Sequence, residues 1–437
     1  MRIIVLGDFM FDTDLIENLV SSENYFKKRK DVEKLRHKAI KMSHKYHFEN
    51  NKFYHDYCKL KGLSGDIKSE DFHKIVIPDT VFKSYQMESP EKSPQEFKKW
   101  IDRISSVPID FTPKGMGSLE SFLQEFYSNG MLLGFSSGTS GKLTFLPRDS
   151  FTQSMLIRSY TEAIDATLKL DKGKERFILG IPKKTFLQVG FNGKVVADHI
   201  SPGNVFHAFE ELKADIIRLR MRGPRSSKEK VMNYFIKQML PRLEKNAIRN
   251  IVTKLEENQG KKVVFMGPPF LIIDTAKYVL ENGINAKIGP DSFLASTGGF
   301  KGRSIVSRDK MNDLIEEAFG LDPKRYIDLY GMTESNSIMI DCIEGNTKHI
   351  PPWMEVILFD ENMEPIPQEG KVTGNYAFLE PSSKSFPGFI TTGDKLKVDY
   401  EGCPACDKTT PVLLSIERLP RIESRGCSGV LAKTVAG

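Results

Sequence analysis

Short apolar runs alternate with longer helical segments between residues 130 and 359, and this alternation limits the folds that the chain can adopt. The runs MLLGF, RFILGIP, KKVVFMGPPFLII and EVILFD each contain a stretch with the length of one buried strand. The segment KVMNYFIKQMLPRLEKNAIRNIVTKLEEN, between the second and third runs, has the length and spacing of a helix. Because buried strands that alternate with helices are typical of parallel sheets, we predict an α/β fold.

The sequence on either side of this core has a different pattern of residues. Residues 1–130 carry lysine, glutamate and aromatic residues at helical spacing, which favours a solvated helical layer over a membrane-binding helix. From Pro351 strand-like runs are separated by Gly/Pro turns, which predicts antiparallel strands in a small barrel-like part. We therefore expect a helical N-terminal region at 1–130, an α/β core at 131–350, an antiparallel part at 351–395 and a short C-terminal extension at 396–437.

The overall composition excludes several function classes. The 63 basic residues exceed the 57 acidic ones by only six over 437 residues, which does not indicate nucleic-acid binding. No window offers the roughly 20 apolar residues that a membrane helix needs, so we expect no membrane association. The five cysteines are sparse and odd in number, so they do not indicate a disulfide framework. These features predict a cytoplasmic protein.

A glycine-rich segment at residues 134–142, GFSSGTSGK, carries the most chemical information. Glycines allow the backbone to approach an anion, while hydroxyl and amide groups donate hydrogen bonds to phosphate oxygens. The segment is not a P-loop, because Ser136 stands where the first glycine would be and Leu143 follows Lys142. On composition alone, a flexible surface turn is an equally good interpretation.

Two further motifs follow in the chain, Tyr330-Gly331-Met332-Thr333-Glu334 and Thr392-Gly393-Asp394. In this order, and together with the segment 136–142, they resemble the signature motifs of adenylate-forming enzymes, the acyl-CoA synthetase and luciferase superfamily. The resemblance implies the large N-terminal adenylate-forming domain of that superfamily, built from parallel α/β subdomains. It also implies an enzyme that uses ATP and Mg²⁺.

The resemblance narrows at two other places. The segment 296–302, STGGFKG, is similar to a glycine-rich segment of the acyl-protein synthetases of bacterial bioluminescence. The segment FENNKFYHDYCKLKGLSGDIKSEDFHKIVIPDTVFK resembles the helical start of that group and of phenylacetate-CoA ligases. The resemblance implies an AMP-forming ligase that activates a fatty or aryl acid, releases pyrophosphate and transfers the acyl group to a protein thiol.

The same resemblance implies a role for each matching residue. Lys142 and the hydroxyl residues of its loop would hold pyrophosphate, Thr333 would contact the α-phosphate, and Glu334 would bind Mg²⁺. Tyr330 would stack on adenine, and Asp394 would accept from the ribose hydroxyls. The full set of residues implied in nucleotide binding is Ser136, Ser137, Gly138, Thr139, Ser140, Gly141, Gly298, Gly299, Tyr330, Gly331, Asp394 and Arg418.

The C-terminal extension differs from the superfamily pattern. Residues 396–437 are too few for the mobile C-terminal domain with a catalytic lysine that full-length members carry. Cys427, beside Arg425, matches the context of the acyl-accepting cysteine of the acyl-protein synthetases, and a nearby arginine favours a thiolate. The resemblance therefore implies Cys427 as a catalytic thiol and an acyl-accepting protein, a reductase or transferase, as a partner.

Cys403-Pro-Ala-Cys406 has the spacing of a zinc knuckle. A structural zinc needs four ligands, and only Cys427 and a distant His349 or Cys342 could complete the set. The alternative is a turn with two reduced thiols.

Two other functions stay open on the sequence. One is a ligase that transfers the acyl group to a small amine, an alcohol or CoA in natural-product biosynthesis. The other is a regulatory nucleotide-binding protein with a degenerate site, against which the presence of Lys142, Thr333, Glu334 and Asp394 argues.

Overall fold

The computed structural model describes residues 11–115, 117–136, 143–298 and 306–418. Its α-helices are α1 (Thr13–Leu19), α2 (Arg29–Asn50), α3 (Lys52–Leu60), α4 (Pro94–Ile104), α5 (Leu119–Ser128), α6 (Ser150–Leu168), α7 (Gln188–Ile200), α8 (Ala214–Arg222), α9 (Ser227–Glu257), α10 (Pro269–Glu281) and α11 (Arg308–Phe319). Its strands are β1 (Ile77–Pro78), β2 (Leu132–Ser136), β3 (Thr144–Arg148), β4 (Phe177–Lys184), β5 (Val205–Glu211), β6 (Val264–Gly267), β7 (Phe293–Thr297), β8 (Tyr326–Gly331), β9 (Ile338–Asp341), β10 (Lys348–His349), β11 (Glu355–Phe359), β12 (Lys371–Leu379), β13 (Phe389–Asp399) and β14 (Val412–Arg418).

Side-chain caps explain where several helices begin. Asp149 accepts a hydrogen bond of 3.0 Å from the Thr152 amide and so starts α6 directly after β3. Ser118 caps α5 in the same way through the Ser121 amide at 3.1 Å. Each cap satisfies one of the amides that a helix N-terminus leaves without a partner, which fixes where the preceding strand or loop ends.

The predicted α/β fold is confirmed. Strands β5, β4, β6, β7 and β8 lie side by side and parallel, in that order, with helices between them in sequence. Most residues of β4, β6 and β7 are buried, as expected for parallel strands covered on both faces. The described helix α9 buries Ala247, Ile251 and Leu255 of its second half against this core.

The barrel-like packing expected for residues 351–395 is not confirmed. Strands β11, β12 and β13 pair antiparallel to one another. Strand β14 lies between β13 and β10, so it connects these three strands to β10, β9 and β8 in the same sheet. Twelve of the described strands thus form one mixed sheet with β11 and β5 at its ends, and β2 and β3 form a separate pair. The boundaries expected at residues 130, 350 and 395 stay predictions.

The helical N-terminal region packs on the antiparallel strands. Tyr54 and Tyr57 of α3 belong to the same buried cluster as Phe378 of β12 and Phe389 of β13. His47 of α2 contacts the Ser383 carbonyl through Nε2 at 3.1 Å, although the two residues are 336 positions apart. None of the described helices combines the length and the apolar composition that a transmembrane helix needs.

Candidate active site

The hairpin β2–β3 holds the two ends of the glycine-rich segment. Ser136, the last residue of β2, pairs with Thr144, the first residue of β3. Leu143, which directly precedes β3, is fixed by a hydrogen bond of 3.0 Å from the Tyr85 hydroxyl to its carbonyl. The loop residues between these two anchors, Ser137, Gly138, Thr139, Ser140, Gly141 and Lys142, lie outside the described residues. The described part therefore places the ends of the loop in an antiparallel pair.

Arg148 ties this hairpin to the second motif. It is the last residue of β3 and is completely buried. Its Nη2 donates to the Thr333 carbonyl at 2.6 Å, its Nε to Asn336 Oδ1 at 3.2 Å and its Nη1 to Gln188 Oε1 at 3.2 Å. Burial lowers the pKa of Arg148 to about 10, so the guanidinium stays charged at neutral pH. No sequence motif singled out this residue.

Thr333 and Glu334 lie in the turn between the antiparallel strands β8 and β9. Glu334 is buried, and Lys83 Nζ lies 4.0 Å from its Oε1. Burial raises the pKa of Glu334, and the nearby Lys83 ammonium opposes that rise only in part. A carboxylate in this position is a ligand of the kind that a hard cation prefers, so Glu334 fits a Mg²⁺ site.

Glu380 also supports this turn. Its carboxylate accepts from the Asn336 amide at 2.9 Å and from the hydroxyls of Ser335 at 2.8 Å, Ser382 at 3.2 Å and Ser337. Burial raises the pKa of Glu380, and these donors lower it in part. A buried carboxylate with four donors and a buried guanidinium with several acceptors leave the turn little freedom to move.

Tyr330, Asp394 and Arg418 form a second cluster. The Tyr330 hydroxyl donates to Asp394 Oδ2 at 2.7 Å, and Arg418 Nε donates to Asp394 Oδ1 at 3.3 Å. Asp394 and Arg418 are cross-strand partners in β13 and β14. Asp394 is buried, whereas the Arg418 side chain is 74% exposed. The cluster thus places a fixed carboxylate beneath a solvent-accessible cation, a pair suited to a polar ligand with hydroxyl groups.

Two of the predicted glycines lie at the carboxyl edge of the parallel strands. Gly298 follows β7 with φ +82°, a left-handed conformation that favours glycine. Gly331 ends β8, the next strand in the sheet. Ligands of open α/β sheets bind outside the carboxyl ends of the strands, so both glycines stand where a ligand would approach. Gly299 lies outside the described residues.

The structure thus brings together several residues that the sequence singled out. Gly331, Thr333, Glu334, Tyr330, Asp394 and Arg418 lie on β8, the turn after it and the paired strands β13 and β14. Cys427 lies outside the described residues. Arg148, Lys83 and Glu380, which contact or support this turn, were not predicted.

The sequence model of the family described as "Acyl-protein synthetase, LuxE" matches residues 227–436. The resemblance to the acyl-protein synthetases is confirmed. Two curated relatives are the long-chain-fatty-acid–luciferin-component ligases of Aliivibrio fischeri, 29% identical over 185 residues, and of Vibrio harveyi, 28% identical over 180 residues. The matches cover 41% and 40% of this chain and 47% and 44% of those proteins, so this chain matches about half the length of either relative.

The fold itself is similar to that of a solved acyl-CoA ligase. A 2-hydroxyisobutyryl-CoA ligase in an open conformation matches with a TM-score of 0.56 and 14% identity, covering 88% of this chain and 74% of that one. The same ligase in its thioesterification state matches with a TM-score of 0.56 and 16% identity, covering 89% and 69%. At this level of identity the likeness shows the fold, and it extends beyond the part that matches the acyl-protein synthetase family.

Proposed function

We propose that the protein activates a carboxylic acid with ATP and passes the acyl group to a protein thiol. The proposal rests above all on one observation. Thr333 and Glu334 follow β8 at the carboxyl edge of the parallel strands, and Tyr330 near the end of β8 donates a hydrogen bond to Asp394 in the middle of β13. Arg148 links that edge to the hairpin that carries the glycine-rich loop.

In the first step a carboxylate oxygen of the acid bonds to the α-phosphorus of ATP, and the bond from that phosphorus to the bridging oxygen breaks. Pyrophosphate leaves with the electron pair. The loop residues Ser136–Lys142 would hold the departing phosphates, and Thr333 would donate to the α-phosphate. Bound Mg²⁺, with Glu334 as a ligand, would neutralise charge on the phosphate oxygens. Catalysis of this kind is mainly positioning and charge stabilisation.

The cluster of Tyr330, Asp394 and Arg418 is proposed to hold the nucleoside. The Asp394 carboxylate would accept from the ribose hydroxyls, and Arg418 would contact the ribose from the solvent side. The Tyr330 hydroxyl is engaged by Asp394 at 2.7 Å, which fixes the ring beside Gly331. Its face would stack on adenine, with Gly298 close to the base.

In the second step the Cys427 thiolate would attack the acyl carbonyl carbon, and the bond from that carbon to the phosphate oxygen would break with release of AMP. The match to the acyl-protein synthetases spans residues 227–436 and so includes this cysteine. The thioester keeps the acyl group activated for an accepting protein, a reductase or a transferase. The names of the curated relatives support a long-chain fatty acid as the substrate.

The decisive test is ATP–pyrophosphate exchange with a panel of fatty and aryl acids, in the wild type and in Lys142→Ala. We expect acid-dependent exchange in the wild type and a loss of about 10- to 100-fold in Lys142→Ala, because a charge-assisted contact to phosphate is worth roughly 1.5–3 kcal/mol. Lys172→Ala, at an exposed position outside the site, serves as the control. If no acid supports ATP–pyrophosphate exchange, the adenylation proposal is wrong, and a regulatory nucleotide-binding protein is the remaining interpretation.

Asp394→Asn is expected to raise the KM for ATP by about 10- to 100-fold, with a smaller effect on kcat, because a neutral amide accepts more weakly from the ribose hydroxyls. Steady-state kinetics at saturating acid would measure the change. Asp399→Asn is a matched control, since it alters the aspartate that ends the same strand. Equal KM values for Asp394→Asn and wild type would contradict the ribose assignment.

A further inference from the structure

Three thiols and one imidazole meet at the end of the sheet opposite the Asp394 cluster along β14. Cys342 follows β9, His349 lies in β10, and Cys403 and Cys406 lie in the turn between β13 and β14. One ligand atom from each residue lies within 4.8 Å of all the others. Cys342 and His349 are buried, Cys403 is 9% exposed, and Cys406 is half-buried.

The separations within this Cys₃His cluster agree with a tetrahedral metal site. With Zn–S distances of about 2.3 Å and Zn–N distances of about 2.0 Å, a tetrahedron places two sulfurs about 3.8 Å apart and sulfur and nitrogen about 3.5 Å apart. The Sγ atoms of Cys342 and Cys403 are 3.8 Å apart, and Cys406 Sγ lies 3.3 Å from His349 Nε2. A disulfide would need about 2.05 Å between its sulfurs, so these thiols are not joined.

The backbone around the Cys₃His cluster is shaped to bring the two turns together. Gly402 precedes the Cys403-Pro-Ala-Cys406 knuckle with φ +99°, a conformation that favours glycine. At Gly345, between Cys342 and His349, a Cβ would lie only 3.1 Å from the Ala405 Cβ and 3.6 Å from Cys403 Sγ. A side chain at this position would press on the knuckle, so glycine allows the close approach.

We propose that Cys342, His349, Cys403 and Cys406 bind one structural Zn²⁺. Three thiolates and an imidazole are ligands that zinc accepts in closed tetrahedral sites. Because all four positions are filled by protein atoms, the ion has no open position for a substrate. Its role is to join the β9–β10 turn to the β13–β14 turn. Cys342 of the first turn and Cys403 of the second are separated by 61 positions in the sequence.

The site would also fix the position of β14. His349 pairs with Val412 at the beginning of that strand, and Arg418 pairs with Asp394 at its end. At about 3.3 Å per residue, these two ends are about 20 Å apart. The metal would therefore hold β14 in place without contacting the reacting groups. Zinc binding is therefore independent of the proposed adenylation, and either assignment can fail alone.

The test is the metal content of the purified full chain, measured by elemental mass spectrometry. We expect about one zinc per chain in the wild type and a loss of at least about tenfold in Cys403→Ser and His349→Ala. His349→Cys should retain the ion, because four thiolates also form a closed site. Cys58→Ser is the control, since Cys58 is a buried thiol outside the cluster.

A second measurement covers the case in which the ligand variants do not fold. Wild type refolded with Co²⁺ should show the visible absorption of tetrahedral cobalt and a thiolate-to-metal charge-transfer band, and a chelator should lower its Tm. Folded wild-type protein without stoichiometric metal, with the four residues as free thiols and imidazole or with a disulfide, would overturn the proposal. Stoichiometric iron in place of zinc would overturn it as well.

Discussion

Arg148→Met is expected to destabilise the protein by about 3–5 kcal/mol and to reduce adenylation more than about 100-fold in the fraction that remains folded. The change leaves four acceptors without this donor: the carbonyls of Thr333 and Ser335, Asn336 Oδ1 and Gln188 Oε1. It also removes the link between the hairpin β2–β3 and the turn that carries Glu334. Chemical denaturation and ATP–pyrophosphate exchange on the same preparation would measure the two effects.

Two further variants separate position from charge at this site. Arg148→Lys keeps the positive charge but not the planar fork of donors, so its loss should fall between wild type and Arg148→Met. Arg176→Met alters an exposed arginine and should change stability by no more than about 0.5 kcal/mol. If Arg148→Met unfolded at the wild-type denaturant concentration and exchanged pyrophosphate at the wild-type rate, Arg148 would not hold this turn.

Cys427→Ala is expected to abolish the acyl-enzyme adduct while leaving ATP–pyrophosphate exchange unchanged. The reason is chemical: alanine offers no nucleophile for the acyl-adenylate, whereas the residues proposed for adenylation are untouched. Intact mass after incubation with ATP, Mg²⁺ and the acid would show the adduct in the wild type. The adduct should disappear with neutral hydroxylamine, as a thioester does.

Cys427→Ser provides the chemical control, because an oxygen ester at this position would resist neutral hydroxylamine. Cys58→Ala removes a different thiol, one that burial makes unreactive by raising its pKa to about 12, and should keep the adduct. An adduct of wild-type size in Cys427→Ala would rule out this cysteine as the acceptor. The transfer to a small amine, an alcohol or CoA would then be the better proposal.

Much of the fold could be predicted because its strands are local and apolar. RFILGIP contains the start of β4 at Phe177–Lys184, and EVILFD contains β11 at Glu355–Phe359. The pairing of distant strands could not be predicted in this way. Nothing local in the run Val412–Arg418 indicates that it lies between β13 and β10, where it joins the antiparallel strands to β9 and β8.

The candidate site likewise contains residues that sequence motifs predicted and residues that only the tertiary structure reveals. Tyr330 and Asp394 stand in motifs, and the structure joins them by a hydrogen bond of 2.7 Å. Arg148 was missed because it ends β3, a strand whose residues are all buried. In such a strand buried and exposed residues do not alternate, so the pattern does not mark a functional polar position. Lys83 and Glu380 were missed because each meets the turn after β8 only through tertiary packing. The roles assigned to the motif residues stay predictions until the variants are measured.

The Cys₃His cluster was only partly visible in the sequence. The spacing of Cys403 and Cys406 indicated a metal knuckle, while the other two ligands were expected to be Cys427 and either His349 or Cys342. The pairing of β10 with both β9 and β14 brings Cys342 and His349 to the knuckle. Cys427 lies outside the described residues, and the four gathered ligand atoms make a complete set without it.

The central position of β14 has a consequence for synthesis on the ribosome. Strands β8–β10 and β11–β13 emerge first, at roughly 5–20 residues per second, and each group presents an unpaired edge until residues 412–418 arrive. Unpaired edges are templates for pairing with other chains. A nascent chain that stalls just before residue 412 would therefore be at its most vulnerable to co-translational aggregation, and a chaperone that covers strand edges would matter most at that moment.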